Sequence, residues 1–98
     1  MNINIERENG KVIMKIEGRL DTTTAPELEK AINGEGDELK NLVLDFGGVD
    51  YISSAGLRVL LTAQKKMNVQ GYMELRSVSE AVMDIFEMTG FADILVIK

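Results

Sequence analysis

Two adjacent serines, Ser53 and Ser54, are the residues of this chain whose side chains and position most favour a reaction or the binding of an anion. They follow the apolar residues 42–46 and a pair of glycines, and they precede a second apolar run, residues 57–61. The first run predicts a strand buried on both faces, and the second predicts a helix packed on that strand. The serines are therefore expected at a helix N-terminus, where free amides and the helix dipole favour an anion.

Two interpretations of these serines stand side by side. In the first, the hydroxyls accept hydrogen bonds from the free amides of the helix start, as serines commonly do. In the second, one hydroxyl is a phosphoacceptor, and phosphorylation adds a charge of about −1.5 to −2 at a place that favours anions. Both can hold together, because a capping residue is exposed and already oriented.

Nucleophilic catalysis by these serines is poorly supported by the rest of the chain. The sequence contains no histidine and no cysteine, and Lys65 would lie about three helical turns away. Asp45 ends a strand, but the first strand ends in Glu6-Arg7-Glu8 and enters a tight hairpin, which does not support a receiver-type magnesium pocket, so Asp45 is predicted to cap a loop. No phosphate-binding loop follows the pattern GxxxxGK[ST]. We therefore expect no enzyme activity, no cofactor and no metal.

Size and charge restrict the remaining classes of protein. The chain has 98 residues, of which 45% are hydrophobic, so residues 1–98 are predicted to form one domain with a single core. The formal net charge of −5 argues against binding to nucleic acid or to an anionic membrane surface. No apolar run approaches the roughly 18 residues of a spanning helix. A reduced, cytoplasmic setting is the expected location.

The order of predicted elements is β-β-α-β-α-β-α-β. Alternating segments on either side of Asn9-Gly10 predict an antiparallel hairpin, and the later strands, separated by helices, are expected to be parallel. Two capping boxes, Thr24 with Glu27 and Ser77 with Glu80, predict the starts of the first and third helices. A turn is predicted at Gly47-Gly48, a helix over residues 54–67 and a final interior strand over residues 94–97. The fold class is α/β, with a mixed, mostly parallel sheet.

Three segments of the sequence resemble those of the STAS-domain family, in particular the stand-alone bacterial anti-sigma factor antagonists. Residues 18–25, GRLDTTTA, look like the family's G-x-L-D-x-x-x-A entry to the first helix. Residues 42–45 with residues 51–57, YISSAGL, are similar to its strand and D-S-[ST]-G-L phosphorylation motif. A looser match, residues 85–90, ends the third helix. The resemblance covers almost the whole chain and implies a STAS-like domain.

The resemblance also implies which residues form the site. With Gly56-Leu57 fixing the register, Ser54 falls on the regulatory phosphoserine, and Ser53, the second choice as acceptor, falls on the usual aspartate. Arg58 stands where many members have a small residue, and it is placed to pair with a phosphate on Ser54. The partner-binding residues implied in this way are Asp21, Thr22, Thr23, Ser53, Ser54, Ala55, Gly56 and Arg58.

The function implied by the resemblance is partner switching without catalysis. The unmodified protein would bind an anti-sigma factor that is a GHKL-type serine kinase, freeing a sigma factor for transcription. Phosphorylation by the kinase would weaken the complex, and a serine phosphatase would reset it. Many relatives carry a further C-terminal helix, so a homodimer or larger complex is expected to cover surface here. The alternatives are a STAS subunit of a signalling or lipid-transport assembly and, ranked lower, a small nucleotide-binding enzyme.

Overall fold

A computed structural model describes all 98 residues of the chain. The elements alternate between strands and helices after an initial pair of strands. In chain order they are β1 (Asn2–Glu8), β2 (Lys11–Leu20), α1 (Ala25–Asn33), β3 (Asn41–Ile52), α2 (Ser54–Gln70), β4 (Tyr72–Arg76), α3 (Glu80–Thr89) and a short 3-10 helix (Phe91–Asp93). This order confirms the predicted α/β class.

The sheet contains four strands in the spatial order β1-β2-β3-β4. β1 and β2 are antiparallel and are joined by a tight turn in which Asn9 and Gly10 have φ values of 48° and 77°. The hairpin prediction is confirmed, because these two residue types tolerate positive φ. β2 pairs in parallel with β3, and β3 in parallel with β4, so α1 and α2 are the crossover connections.

All three helices pack on one face of the sheet. Their apolar residues join the inward side chains of the strands in one cluster of 23 buried residues, and the rings of Phe46 on β3 and Phe86 on α3 lie 6.4 Å apart. Val43 and Glu74 are buried but lie outside this cluster, on the opposite face of the sheet. The molecule is therefore a two-layer α/β domain.

The predicted glycine turn at Gly47-Gly48 is wrong, because both residues belong to β3. The strand continues to Ile52 through two register shifts against β2. Gly48 passes so close to β2 that an added Cβ would lie 2.7 Å from the Glu17 Cγ and 3.1 Å from the Glu17 Cα. Asp45 Oδ1 accepts a hydrogen bond of 2.9 Å from the Gly47 amide, so the predicted local cap exists within a bulged strand.

Neither predicted capping box forms. Thr24 occupies the N-cap position of α1, but its hydroxyl donates to the Arg19 carbonyl oxygen and accepts from the Asp21 amide, so it makes no cap hydrogen bond. At α3 the cap is Ser79 instead of Ser77, and its hydroxyl accepts a hydrogen bond of 3.2 Å from the Val82 amide. In both cases other local hydrogen bonds form in place of the predicted capping box.

The last predicted strand, residues 94–97, is reduced to one parallel bridge between Leu75 and Ile97. The chain instead makes a 3-10 turn after α3, and Ile94 is 45% exposed. α2 is longer than predicted and ends at Gln70, so the lysines at positions 65 and 66 do not lie in its last turn. No helix is long and apolar enough to span a bilayer.

Candidate functional site at the carboxyl ends of β2 and β3

The parallel pairing of β2 with β3 brings the two predicted site segments together. Leu20 and Ile52 are register partners at the ends of these strands, and the Ser53 amide donates a hydrogen bond of 2.9 Å to the Leu20 carbonyl oxygen. The turn after β2 carries Asp21, Thr22 and Thr23, whereas the junction after β3 carries the serines. The carboxyl ends of parallel strands share one edge of a sheet, so both segments form one surface.

The two serines differ sharply in environment. Ser54 is the first residue of α2 and is exposed. Ser53 occupies the N-cap position with extended backbone angles, but its Oγ is buried and has no hydrogen-bond partner. Neither side chain caps the helix, so the capping interpretation of the pair is wrong. Ser54 is therefore the more accessible of the two serines.

Gly56 allows the start of α2 to approach the two strand ends closely. A Cβ added there would lie 2.8 Å from Ile52 Cγ1 and from Leu20 Cγ, and 3.0 Å from the Leu20 carbonyl oxygen. Any side chain would therefore push the first turn of α2 outward. Gly56 is buried, and its contribution to the site is to fix where Ser54 stands.

Asp21 organises the turn that faces the serines. Its Oδ1 accepts hydrogen bonds from the Thr23 amide at 3.0 Å and the Thr24 amide at 3.1 Å, and the Thr24 hydroxyl lies 3.2 Å away. The bond from the Thr24 amide is the largest of the interactions that lower the pKa of Asp21, and the neighbouring Arg19 lowers it slightly further. The carboxylate is thus charged and holds the turn, which presents Thr22 and Thr23 to solvent.

A groove between α1 and α2 continues the site along the helices. It has a volume of about 260 Å³, and Thr22 and Ala55 lie at its end near the serines. Pro26 and Val59 form apolar parts of its walls, and Arg58, which is exposed, lines it on the α2 side. Of the residues predicted for the site, three line this groove, Gly56 is buried, the Ser53 hydroxyl is buried, and the others lie at the neighbouring strand ends and helix start.

Sequence reasoning missed one pair of residues at this edge. The guanidinium of Arg19 lies 4.4 Å from the centre of the Tyr51 ring, and its Nε lies 3.8 Å from Asp21 Oδ2. The signal was present in the strand ends: pairing of Leu20 with Ile52 also places Arg19 beside Tyr51. Stacking and charge together fix the orientation of this arginine.

The chain does not itself supply groups that would activate either serine hydroxyl. The chain has no histidine or cysteine, and no three acidic, histidine or cysteine side chains are grouped in a way that could hold a metal ion. Neither serine hydroxyl has a hydrogen-bonded base. An exposed hydroxyl on a rigid helix start can instead receive a phosphoryl group from an enzyme that supplies the base and the metal.

The class of fold is a two-layer α/β domain, and an exposed serine lies at its β3–α2 junction. The family model of the STAS domain matches residues 2–98, and the chain belongs to the STAS domain family. BtrV of Bordetella bronchiseptica, provisionally named an anti-sigma factor antagonist, is 35% identical over 96 residues, covering 96% of this chain and 83% of BtrV.

Two further comparisons are with a sequence relative and with a protein of known structure. The anti-sigma-B factor antagonist of Listeria monocytogenes is 33% identical over 106 residues, which cover 100% of this chain and 90% of the relative. The structure of SpoIIAA, a Bacillus cell fate determinant in its phosphorylated form, matches with a TM-score of 0.75 and 16% identity. That match covers 99% of this chain and 91% of SpoIIAA. The latter likeness establishes the shared fold.

Proposed function

We propose that this protein is an anti-sigma factor antagonist whose binding to an anti-sigma factor is switched off by phosphorylation of Ser54. The observation that carries the proposal is the exposed Ser54 at the start of α2, next to a Ser53 hydroxyl that is buried. Membership of the STAS family and the likeness to the Listeria antagonist support this role. The protein acts by binding and is not an enzyme.

The modification is a phosphoryl transfer from ATP. The Ser54 Oγ attacks the γ-phosphorus, the bond to the leaving ADP breaks, and the hydroxyl proton passes to a base on the kinase. The anti-sigma factor is the proposed serine kinase. A serine phosphatase hydrolyses the ester, returning the serine and inorganic phosphate.

The docking surface consists of the Asp21–Thr23 turn, the Ser53–Ser54 junction and the exposed side of the first turns of α2. Phosphorylation places about −1.5 to −2 charges on this surface. Changing a complex from 99% formed to 1% formed needs roughly 5.5 kcal/mol of differential binding. Taking a phosphate dianion out of water in an interface costs several kcal/mol, and a single ion pair repays that cost only in part, so phosphorylation can supply a difference of that order.

The test uses the purified chain, a co-purified anti-sigma partner and ATP, followed by peptide mass spectrometry. We expect phosphate on Ser54, loss of the signal in Ser54→Ala, and retention of the signal in the matched control Ser53→Ala. Ser54→Asp is expected to weaken partner binding at least tenfold, whereas Ser54→Ala binds constitutively.

Two results would contradict the proposed function. One is equal partner affinity for Ser54→Asp and Ser54→Ala, which removes the switch. The other is co-purification with a transporter ATPase and no anti-sigma factor, which would favour a STAS subunit of a membrane-associated assembly.

A further inference from the structure

Arg58 is a cation without a partner beside the proposed phosphoacceptor. It follows Ser54 by one helical turn on α2, and residues four apart on a helix have Cβ atoms about 5–6 Å from each other on one face. Both residues are exposed. The ion pairs of the structure use Arg7, Lys15, Arg19 and Arg76. Arg58 takes part in none of these, and its side chain makes no hydrogen bond.

The other cations are either engaged or remote. Arg19 stacks on Tyr51 and faces Asp21, so its guanidinium is already held at the strand ends. Lys65 follows Ser54 by eleven residues on the same helix, which corresponds to roughly 16 Å along its axis. Arg58 is therefore the cation best placed to meet a charge on Ser54.

The same arginine is part of the groove between α1 and α2. Among the residues that line the end of the groove near Ala55, Arg58 is the one cation and Glu29, on α1, is the one anion, whereas Lys66 lies farther along at an adjoining pocket that Glu29 also lines. These two side chains make no ion pair with each other. In the unmodified protein this end of the groove thus offers one charge of each sign to a partner.

We propose that phosphate on Ser54 captures the Arg58 guanidinium in an ion pair along the helix and so withdraws the only cation at this end of the groove. This inference rests on the proposed phosphorylation of Ser54. A phosphate offers three acceptor oxygens, and the planar guanidinium can bind two of them in parallel. Phosphorylation then acts twice: it adds an anion at the junction and leaves Glu29 as the only available charge at this end of the groove, which disfavours an acidic partner segment.

The experiment needs no kinase. Phosphoserine is incorporated at position 54 during protein synthesis, and its second ionisation is followed by ³¹P NMR titration in the wild type, Arg58→Gln, Arg58→Lys and the matched control Lys65→Gln. A nearby guanidinium favours the dianion, so the wild-type midpoint is expected to lie about half a pH unit below that of Arg58→Gln. Arg58→Lys should give an intermediate value, and Lys65→Gln the wild-type value. Arg19, Asp21 and Glu29, the other charged groups around the junction, are the same in every variant.

A second readout reports contact directly. The ¹⁵N–¹H signal of the Arg58 Nε, assigned by its loss in Arg58→Gln, is expected to shift on phosphorylation in the wild type. Equal ³¹P midpoints in the wild type and Arg58→Gln, with an unmoved Nε signal, would overturn the inference. That failure would leave partner switching intact, whereas equal partner affinity of Ser54→Asp and Ser54→Ala would refute the switch without changing the NMR result.

Discussion

The contrast between Ser53 and Ser54 shows how far a single residue's role could be predicted. The sequence register assigned Ser54 as the acceptor and kept Ser53 as the second choice. Sequence alone could not reveal that the Ser53 Oγ is buried without a partner, because that burial depends on how the β3–α2 junction packs in the folded chain, where the Ser53 amide is bonded to the distant Leu20 carbonyl oxygen. The buried Ser53 hydroxyl supports Ser54 as the acceptor, and that assignment stays a prediction.

At Asp21 the residue-level prediction concerns the turn it holds. Asp21→Ala removes the acceptor of the Thr23 and Thr24 amides, so we expect faster hydrogen exchange at both amides and a lower thermal midpoint. The matched control is Asp50→Ala, because Asp50 is an exposed carboxylate that makes no hydrogen bond or ion pair. Equal exchange rates in the two variants would contradict this role of Asp21.

Among the elements, β3 shows why glycine patterns mislead. In isolation, the Gly47-Gly48 pair is typical of a turn. In the structure it lies in a strand that passes the backbone of Glu17 closely. That close approach is to β2, a neighbour in space that the local sequence does not identify. The buried run before the glycines was predicted correctly, because in this case the dense apolar segment does lie in the interior of the sheet, between β2 and β4.

The element whose position matters most for the site is the first turn of α2. Gly56→Ala would place a methyl group 2.8 Å from two side-chain carbons, so we expect a loss of about 1–3 kcal/mol in unfolding free energy. The measurement is urea unfolding, accompanied by amide chemical shifts of residues 53–55. Shifts confined to position 56 and an unchanged unfolding midpoint would mean that the helix start has room for a side chain.

The packing of α3 on the sheet gives a second element-scale prediction. Phe86 is fully buried and its ring faces that of Phe46, so Phe86→Ala should lower the unfolding free energy by about 3–5 kcal/mol. Met88→Ala, on the same helix but 86% exposed, is the control and should cost little. Similar urea midpoints for both variants would contradict the assigned face of α3.

Across the whole molecule, two carboxylates link stability to pH. A hydrogen bond from Arg76 lowers the pKa of the buried Glu74, and backbone amides lower that of Asp21. A carboxyl group whose pKa is lower in the folded state contributes stability above its unfolded pKa of about 4, and the contribution is lost as the pH falls through the folded value. The thermal midpoint should therefore fall on acidification below about pH 4.

The double variant Asp21→Asn, Glu74→Gln tests this linkage. It should be less stable than the wild type at pH 7, and the difference between their thermal midpoints should narrow at pH 3. A difference that stays constant between the two pH values would show that neither carboxylate contributes through its charge.

The overall architecture was predictable because every long element carried a clear period, whereas the C-terminal segment did not. Residues 94–97 are as apolar as an interior strand, but only Ile97 bridges to β4. A short apolar run is an ambiguous signal, since a strand forms only where a neighbour offers a free edge and the chain arrives in register. The 3-10 turn after α3 determines how the chain reaches that edge here.

The tie between the Ser53 amide and the Leu20 carbonyl oxygen has a consequence for how a signal is stored. In the proposed function Ser54 carries the phosphate at a helix start that is hydrogen-bonded to the sheet and held close to it by Gly56, so phosphorylation requires no segment to unfold or rearrange. The phosphorylated and unmodified forms would then share one backbone conformation and differ only in the charge at Ser54, which a partner detects by contact. Hydrolysis of the phosphoserine would restore the unmodified form directly, without a refolding step.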